Sequence, residues 1–236
     1  MFNTKLPLYG ICIIIAIVSG LALIYKNAKL IKLKNIETVG LILYIALGAI
    51  FGAKYFSFFI NPEAYNNTFE FTKIGLSSYG AVIGIGLMSL LFSVQYKKKI
   101  NDLMYIFLPS LPLMYGIGKI GCFLSGCCYG IKYSGIFSVK YYYSYSAPQG
   151  ISLFPVQLIE AIVFIFIFIF LQSKIKTARN KTTLIGATLI ICGTSKFLLD
   201  FLRMNQISLF TPNKIISLIF ITLGITILLR ERIKLK

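Results

Sequence analysis

The sequence predicts an all-α fold, a polytopic integral membrane protein with seven transmembrane helices, its N-terminus outside and its C-terminus cytoplasmic. Three observations carry that expectation. The 236-residue chain is 57% hydrophobic and 13% charged, whereas an ordinary soluble domain is about 45–50% apolar and about 25% charged. Seven stretches approach the roughly 20 apolar residues that span a bilayer. The 24 Lys and Arg, against 7 Asp and Glu, are sorted unequally between the two ends of those stretches. A chain this apolar is not a nucleic-acid binder, in which basic residues coat a polar surface. It is not disordered either, because disorder combines high net charge with low hydrophobicity.

The expected spans lie at about 7–25, 36–60, 77–95, 103–124, 153–172, 184–203 and 215–229. The first has Lys26 and Lys29 after it rather than a small-residue cleavage site, so it reads as a retained helix. The fourth carries Pro109 and Pro112, then Gly116, Gly118, Gly121 and Gly126, which predicts a broken or re-entrant stretch packed within protein. Fifteen basic residues follow the odd-numbered spans: Lys26, Lys29, Lys32 and Lys34; Lys97, Lys98 and Lys99; Lys174, Lys176, Arg179 and Lys181; Arg230, Arg232, Lys234 and Lys236. The opposite side has six, Lys5, Lys73, Lys132, Lys140, Arg203 and Lys214. Basic loops stay cytoplasmic, which fixes the expected orientation. The whole reads as one transmembrane domain, 1–236, with outer loops at about 61–76 and 129–152.

Three lysines fall inside the spans, Lys54, Lys119 and Lys196, together with Glu160 and Asp200. An ionisable group at that depth costs about 2.5–3.5 kcal/mol or more, so each needs a partner, a wet cavity or a chemical role. Lys196, Asp200 and Arg203 stand at i, i+4 and i+7 on one helical face, and Gln157 and Glu160 at i and i+3 on another. Both stripes occupy the outer halves of their helices. The polar start of the third span, Ser77-Ser78-Tyr79-Gly80, meets the same leaflet.

The chain has no His, which excludes His-ligated metal sites, Ser-His-Asp triads and Cys-His dyads. The stretch from Gly118 to Gly130 embeds Lys119 among glycines that permit positive φ and exposed N–H groups, or alternatively tight helix packing. Cys122, Cys127 and Cys128 form C-x₄-C-C, which is not a zinc spacing. An outer-face disulfide is open to them, and no metal or cofactor is expected. Cys12 and Cys192 read as packing residues. The outer-loop tyrosines, Tyr129, Tyr133, Tyr141, Tyr142, Tyr143 and Tyr145, suit an interfacial belt or hairpin, or a tyrosine-lined groove.

Five segments in order resemble the prolipoprotein diacylglyceryl transferase family. Gly52-Ala53-Lys54-Tyr55 with Phe56 to Phe59 resembles its Gly-Ala-Arg-Leu-Gly-Tyr, and Ser78 to Gly84 resembles Phe-His-Gly-Gly-Leu-Ile-Gly. Gly118-Lys119-Ile120-Gly121 through Gly130 resembles the signature Gly-Arg-Ile-Gly-Asn-Phe-x-Asn-Gly-Glu-x-x-Gly. Phe154 to Glu160 resembles His-Pro-Ser-Gln-Leu-Tyr-Glu, and Gly193 to Arg203 resembles Gly-x-x-Arg-Phe-x-x-Glu-x-x-Arg.

The resemblance implies transfer of diacylglyceryl from phosphatidylglycerol to the lipobox cysteine of a lipoprotein precursor signal peptide, with release of glycerol phosphate. The implied place is the outer leaflet of the bacterial cytoplasmic membrane. It implies Tyr79, Lys119, Lys196 and Asp200 as catalytic residues. Lys54, Gly80, Gly118, Gly121, Gly126, Gln157, Glu160 and Arg203 are the implied substrate-binding ones. Tyr79 stands where the family has His, and Lys54, Lys119 and Lys196 where it has Arg. Asp200 replaces a Glu, and Cys122 and Cys127 replace the signature Asn and Glu. These departures keep two other readings in play, a non-catalytic lipid-binding or transport protein and a transferase with another acceptor. A membrane thiol–disulfide protein is a third.

Overall fold

The computed structural model describes residues 7–60, 62–65, 70, 73–144, 146–178, 180–204, 208 and 210–234. Lys5, Tyr145, Arg179 and Lys236, all weighed above, and part of the expected outer loop at 61–76 lie outside the described residues. The chain is mainly helical: α1 Pro7–Ala28, α2 Asn35–Ile60, α3 Ser78–Gln95, α4 Ile100–Phe107, α5 Ser110–Ser125, α6 Val156–Lys174, α7 Lys181–Leu199 and α8 Pro212–Lys234. A two-residue pair, β1 Val139–Lys140 and β2 Ser152–Leu153, sits antiparallel in the loop between α5 and α6.

Among the described residues, six segments are long and apolar enough to cross a membrane: Leu8–Ile31, Asn35–Ile60, Ile100–Ser125, Val156–Lys174, Lys181–Leu202 and Pro212–Ile233. The remaining expected span is the shorter apolar helix Tyr79–Gln95. The fourth expected span does break, between α4 and α5 around Pro109, whose ring cannot continue the helical hydrogen bonding. The sixth ends earlier than its apolar pattern predicts. Regular helix stops at Leu199, Asp200–Leu202 form a 3₁₀ turn, and Arg203 is extended at φ −95°, ψ 134°. The stripe at i, i+4 and i+7 is therefore helical only from Lys196 to Asp200.

The chain forms two compact units, Leu23–Phe107 and the combination of Met1–Ala22 with Leu108–Lys236. In the first, α2 and α3 pack face to face through glycines. A Cβ on Gly52 would collide with the Gly80 carbonyl, and one on Gly84 with that of Gly48. Only small residues let two helix backbones approach this closely. The Ser77 side chain caps α3 by accepting from the Gly80 N–H at 3.3 Å. In the second unit, α5 packs on α6, α6 on α7 and α7 on α8. Asn180 caps α7, its Oδ1 accepting from the Thr182 N–H at 2.9 Å.

Candidate active site

The site lies at one end of the second unit's helices, where α5 finishes, α6 begins and α7 finishes. Antiparallel neighbours bring those three termini together. Lys119 comes near the end of α5, Gln157 and Glu160 in the first turns of α6, and Lys196 in the last turn of α7. All are buried, Glu160 and Asp200 completely.

Glu160 is the hub. Its Oε2 lies 2.7 Å from Lys119 Nζ, and its Oε1 3.1 Å from Lys196 Nζ. Tyr115 donates its hydroxyl to the same Oε1 at 3.0 Å, and its ring centroid lies 5.1 Å from Lys119 Nζ. Lys196 also pairs with Asp200 one turn on, and Asp200 Oδ1 receives Arg203 NH1 at 3.3 Å. The 3₁₀ turn delivers Arg203 to that oxygen, and the loop strand Tyr129–Ile131 holds it there. The Ile131 N–H donates to the Leu202 carbonyl at 3.0 Å, and Gly130 bridges Arg203.

Three cations thus face two carboxylates, which leaves one positive charge in a buried setting. Buried charges need partners, and the network supplies one fewer anion than cations. Arg203 Nε is buried with no hydrogen-bond partner among the described residues, as is Gln157 Oε1. Chemically, the arrangement is suited to an anion with several oxygens, held by charge-assisted hydrogen bonds.

The loop after α5 is pinned to this end. Gly126 closes the helix at φ +74°, a left-handed conformation that favours glycine, and its N–H bonds back to Phe123 O. Gln157 Nε2 donates to Cys127 O at 2.9 Å, Ser144 Oγ to Ser125 O at 3.1 Å, and Tyr141 OH to Phe123 O at 3.0 Å. Burial pushes the Tyr141 phenol up from its ordinary range. Tyr141 is therefore a strut, while Tyr142 and Tyr143 remain exposed.

Of the two readings of these glycines, helix packing describes Gly118 and Gly121. Both lie inside α5, and of the glycines from 118 to 130 only Gly126 has positive φ. Gly121 instead faces Tyr9 and Cys12, and Gly118 faces Ile13. They serve the packing of α5 on α1.

Lys54, Tyr79 and Gly80 belong to the other unit. Lys54 Nζ donates to the Ile74 carbonyl at 2.5 Å, Tyr79 is buried, and Gly80 makes the close approach to Gly52 already described.

Two features escaped sequence reasoning, and a third was weighed there as a spacing without its geometry. Tyr115 supports the hub carboxylate, although a tyrosine in an apolar span looks like ordinary core. Lys214, read as an outer-side lysine, is fully buried, with Nζ donating to Ser208 O at 2.8 Å and standing 3.3 Å from the Phe201 ring centroid. The third is the thiol cluster. The sulfurs of Cys122, Cys127 and Cys128 lie within 4.8 Å of one another.

Fold and site together define a polytopic helical membrane protein with a buried, net-positive site at one end of its helices. The family model for prolipoprotein diacylglyceryl transferase matches residues 1–230, and the chain belongs to that family of transferases. A phosphatidylglycerol–prolipoprotein diacylglyceryl transferase from Clostridium tetani is 26% identical over 240 residues, covering 99% of this chain and 96% of that one. One from Francisella tularensis is 27% identical over 252 residues, covering 98% and 91%. A second clostridial enzyme of that name, from Clostridium perfringens, is 31% identical over 153 residues, 64% of this chain and 59% of its own.

Proposed function

We propose that this chain transfers the diacylglyceryl group of phosphatidylglycerol to the lipobox cysteine thiol of a lipoprotein precursor. The work is done at the outer leaflet of the bacterial cytoplasmic membrane. The observation that carries the reading is the surplus positive charge of the Lys119–Glu160–Lys196–Asp200–Arg203 network. A phosphodiester headgroup is the anion a membrane offers such a site.

In the reaction, a C–S bond forms between the acceptor sulfur and the glyceryl carbon as the carbon–oxygen bond to phosphate breaks. The bonding electron pair leaves on the phosphate oxygen, and glycerol phosphate is the product. Charge therefore grows on the phosphate in the transition state. Lys119 and Arg203 stabilise it, as preorganised cations do most effectively away from water. Lys196 assists, oriented by Asp200, and Glu160 holds the Lys119 and Lys196 ammonium groups in place. The thiol proton passes to a base, for which Tyr79 is the candidate because it occupies the family's histidine position. Gln157 and the loop at Gly126 shape the substrate site, and the family resemblance gives Lys54 a binding role.

The topology that goes with this reading has seven spans, the N-terminus outside and the C-terminus inside. The helix α3, 18 residues long, extends about 27 Å at 1.5 Å per residue, close to the roughly 30 Å hydrocarbon core. The excess of basic residues after the odd-numbered spans supports the orientation. Helix ends bearing Lys119, Glu160 and Lys196 then face outward.

The test is complementation of bacteria depleted of their own transferase, following the mass shift of a reporter prolipoprotein. Wild-type protein restores lipidation, and Lys119→Ala at equal membrane abundance lowers it at least ~100-fold. Stable membrane expression of the wild type without any lipidation overturns the reading in favour of lipid binding without turnover.

A further inference from the structure

The transfer reaction proposed above gives the thiol cluster no role, yet its three sulfurs lie within 4.8 Å of one another. We propose that Cys122, Cys127 and Cys128 form a binding site for one soft d¹⁰ metal ion, of the Cu(I), Zn(II) or Cd(II) kind, coordinated by three sulfurs. Four observations lead there.

The first is distance. Around a d¹⁰ ion with metal–sulfur bonds of about 2.3 Å, three trigonal sulfurs stand about 4 Å apart. The three sulfurs here are all within 4.8 Å of one another.

The second is how the sulfurs are delivered. Cys122 is on the last turn of α5, and Gly126 reverses the chain at φ +74° so that Cys127 and Cys128 fold back over it. Cys128 is itself at φ +55°. A side chain with a Cβ rarely takes that conformation, and such residues concentrate where the surrounding structure enforces a functional geometry.

The third is support from outside the cluster. Gln157 holds the Cys127 carbonyl at 2.9 Å, and Ser125 Oγ donates to Cys127 Sγ at 3.3 Å. Hydrogen bonds of this kind orient metal ligands. The fourth is charge. Three thiolates with a divalent ion carry one net negative charge, and with a monovalent ion two. Lys119, one turn before Cys122, and Arg203, bridged to Gly130, supply neighbouring positive charge. Soft thiolate ligands select Cu(I) and Zn(II) over hard cations such as Mg(II) and Ca(II).

Binding exchanges three thiol protons for the ion, the protons passing to solvent, with no change of oxidation state. Its readouts do not require that the chain transfer lipid. The site is also absent from the family signature this chain resembles, where Asn and Glu stand at the first two cysteine positions.

The experiment uses the reduced, full-length protein in detergent. Titration with Cd(II) is expected to give a thiolate-to-metal charge-transfer absorption that saturates at one ion per chain. Cys128→Ser is expected to weaken binding at least tenfold, while the double variant Cys12→Ser/Cys192→Ser binds as the wild type does. X-ray absorption of the Cu(I)-loaded wild type is expected to report three sulfur neighbours, a readout that does not depend on any variant folding. No charge-transfer band in the reduced wild type overturns the proposal. So does binding that Cys128→Ser leaves unchanged, or a Cu(I) shell containing fewer than three sulfurs.

Discussion

Two ion-pair regions, one in each compact unit, use the same chemistry to different ends. In the Leu23–Phe107 unit, Glu37 at the start of α2 meets Lys98 in the turn after α3 at 2.7 Å. One carboxylate faces one ammonium, and their side chains are 17% and 30% exposed. The Lys34 N–H donates to the same carboxylate at 3.0 Å. The pair is balanced and wet, and its charge is spent on joining two chain segments. At the α5–α6–α7 end of the other unit, Glu160 and Asp200 are wholly buried among Lys119, Lys196 and Arg203. There the count is unequal, and the excess is kept away from water. What separates the proposed binding site from the strut is the imbalance of charge rather than the presence of ion pairs.

The largest test of that contrast is Glu160→Gln, which turns the buried network from three cations with two anions into three with one. Removing one partner from a buried pair destabilises by about 3–5 kcal/mol. Unfolding in a detergent mixture should therefore occur at markedly lower denaturant, and lipidation should fall below detection. An unchanged midpoint would mean that the network is hydrated and the contrast false. Next in size is Tyr79→Phe. If the phenol is the base, lipidation falls about 10²–10⁴-fold, the range for general base catalysis, while membrane abundance is preserved. Activity within twofold of wild type would return Tyr79 to the packing of its own unit.

The five charged members of the site were legible in the sequence because the membrane makes them conspicuous. Lys119, Glu160, Lys196 and Asp200 interrupt apolar runs, and the i, i+4 spacing of Lys196 and Asp200 places them on one face. Pro109 announced the break in the fourth span for an equally local reason. The rest depends on tertiary placement. Nothing in the sequence tells Tyr115 from core aromatic residues, since its hydroxyl matters only once Glu160 is beside it. Lys214 stands at a helix start where lysines are ordinarily solvated, and the tertiary placement of Ser208 and the Phe201 ring beside it is not legible there. The cysteine spacing matched no familiar metal pattern, because a left-handed turn at Gly126, not a regular interval, gathers the sulfurs. The end of α7 was misread by its apolar pattern, which continues past Leu199 although pairing of residues 202–204 with the loop pulls the backbone out of helix.

A smaller effect is expected from Lys119→Arg, which restores the residue of the family signature. The planar guanidinium keeps the charge and adds a fork that can grip two phosphate oxygens, but it must fit where an ammonium now sits 2.7 Å from Glu160. Lipidation should stay within about tenfold of wild type, against the far larger loss for Lys119→Ala. An arginine variant as inactive as the alanine one would show that shape at this position, not charge, limits the reaction.

The smallest effect belongs to the balanced pair. Glu37→Gln removes the charge opposite Lys98 but keeps an oxygen for the Lys34 N–H, and the freed ammonium can turn toward water. Exposed pairs contribute little to stability and are screened by salt. Lipidation should match wild type at both low and high ionic strength. A loss as large as that from Glu160→Gln would mean that the joining of α2 to the turn after α3 governs the site. The imbalance of buried charge would then no longer suffice to tell the two regions apart.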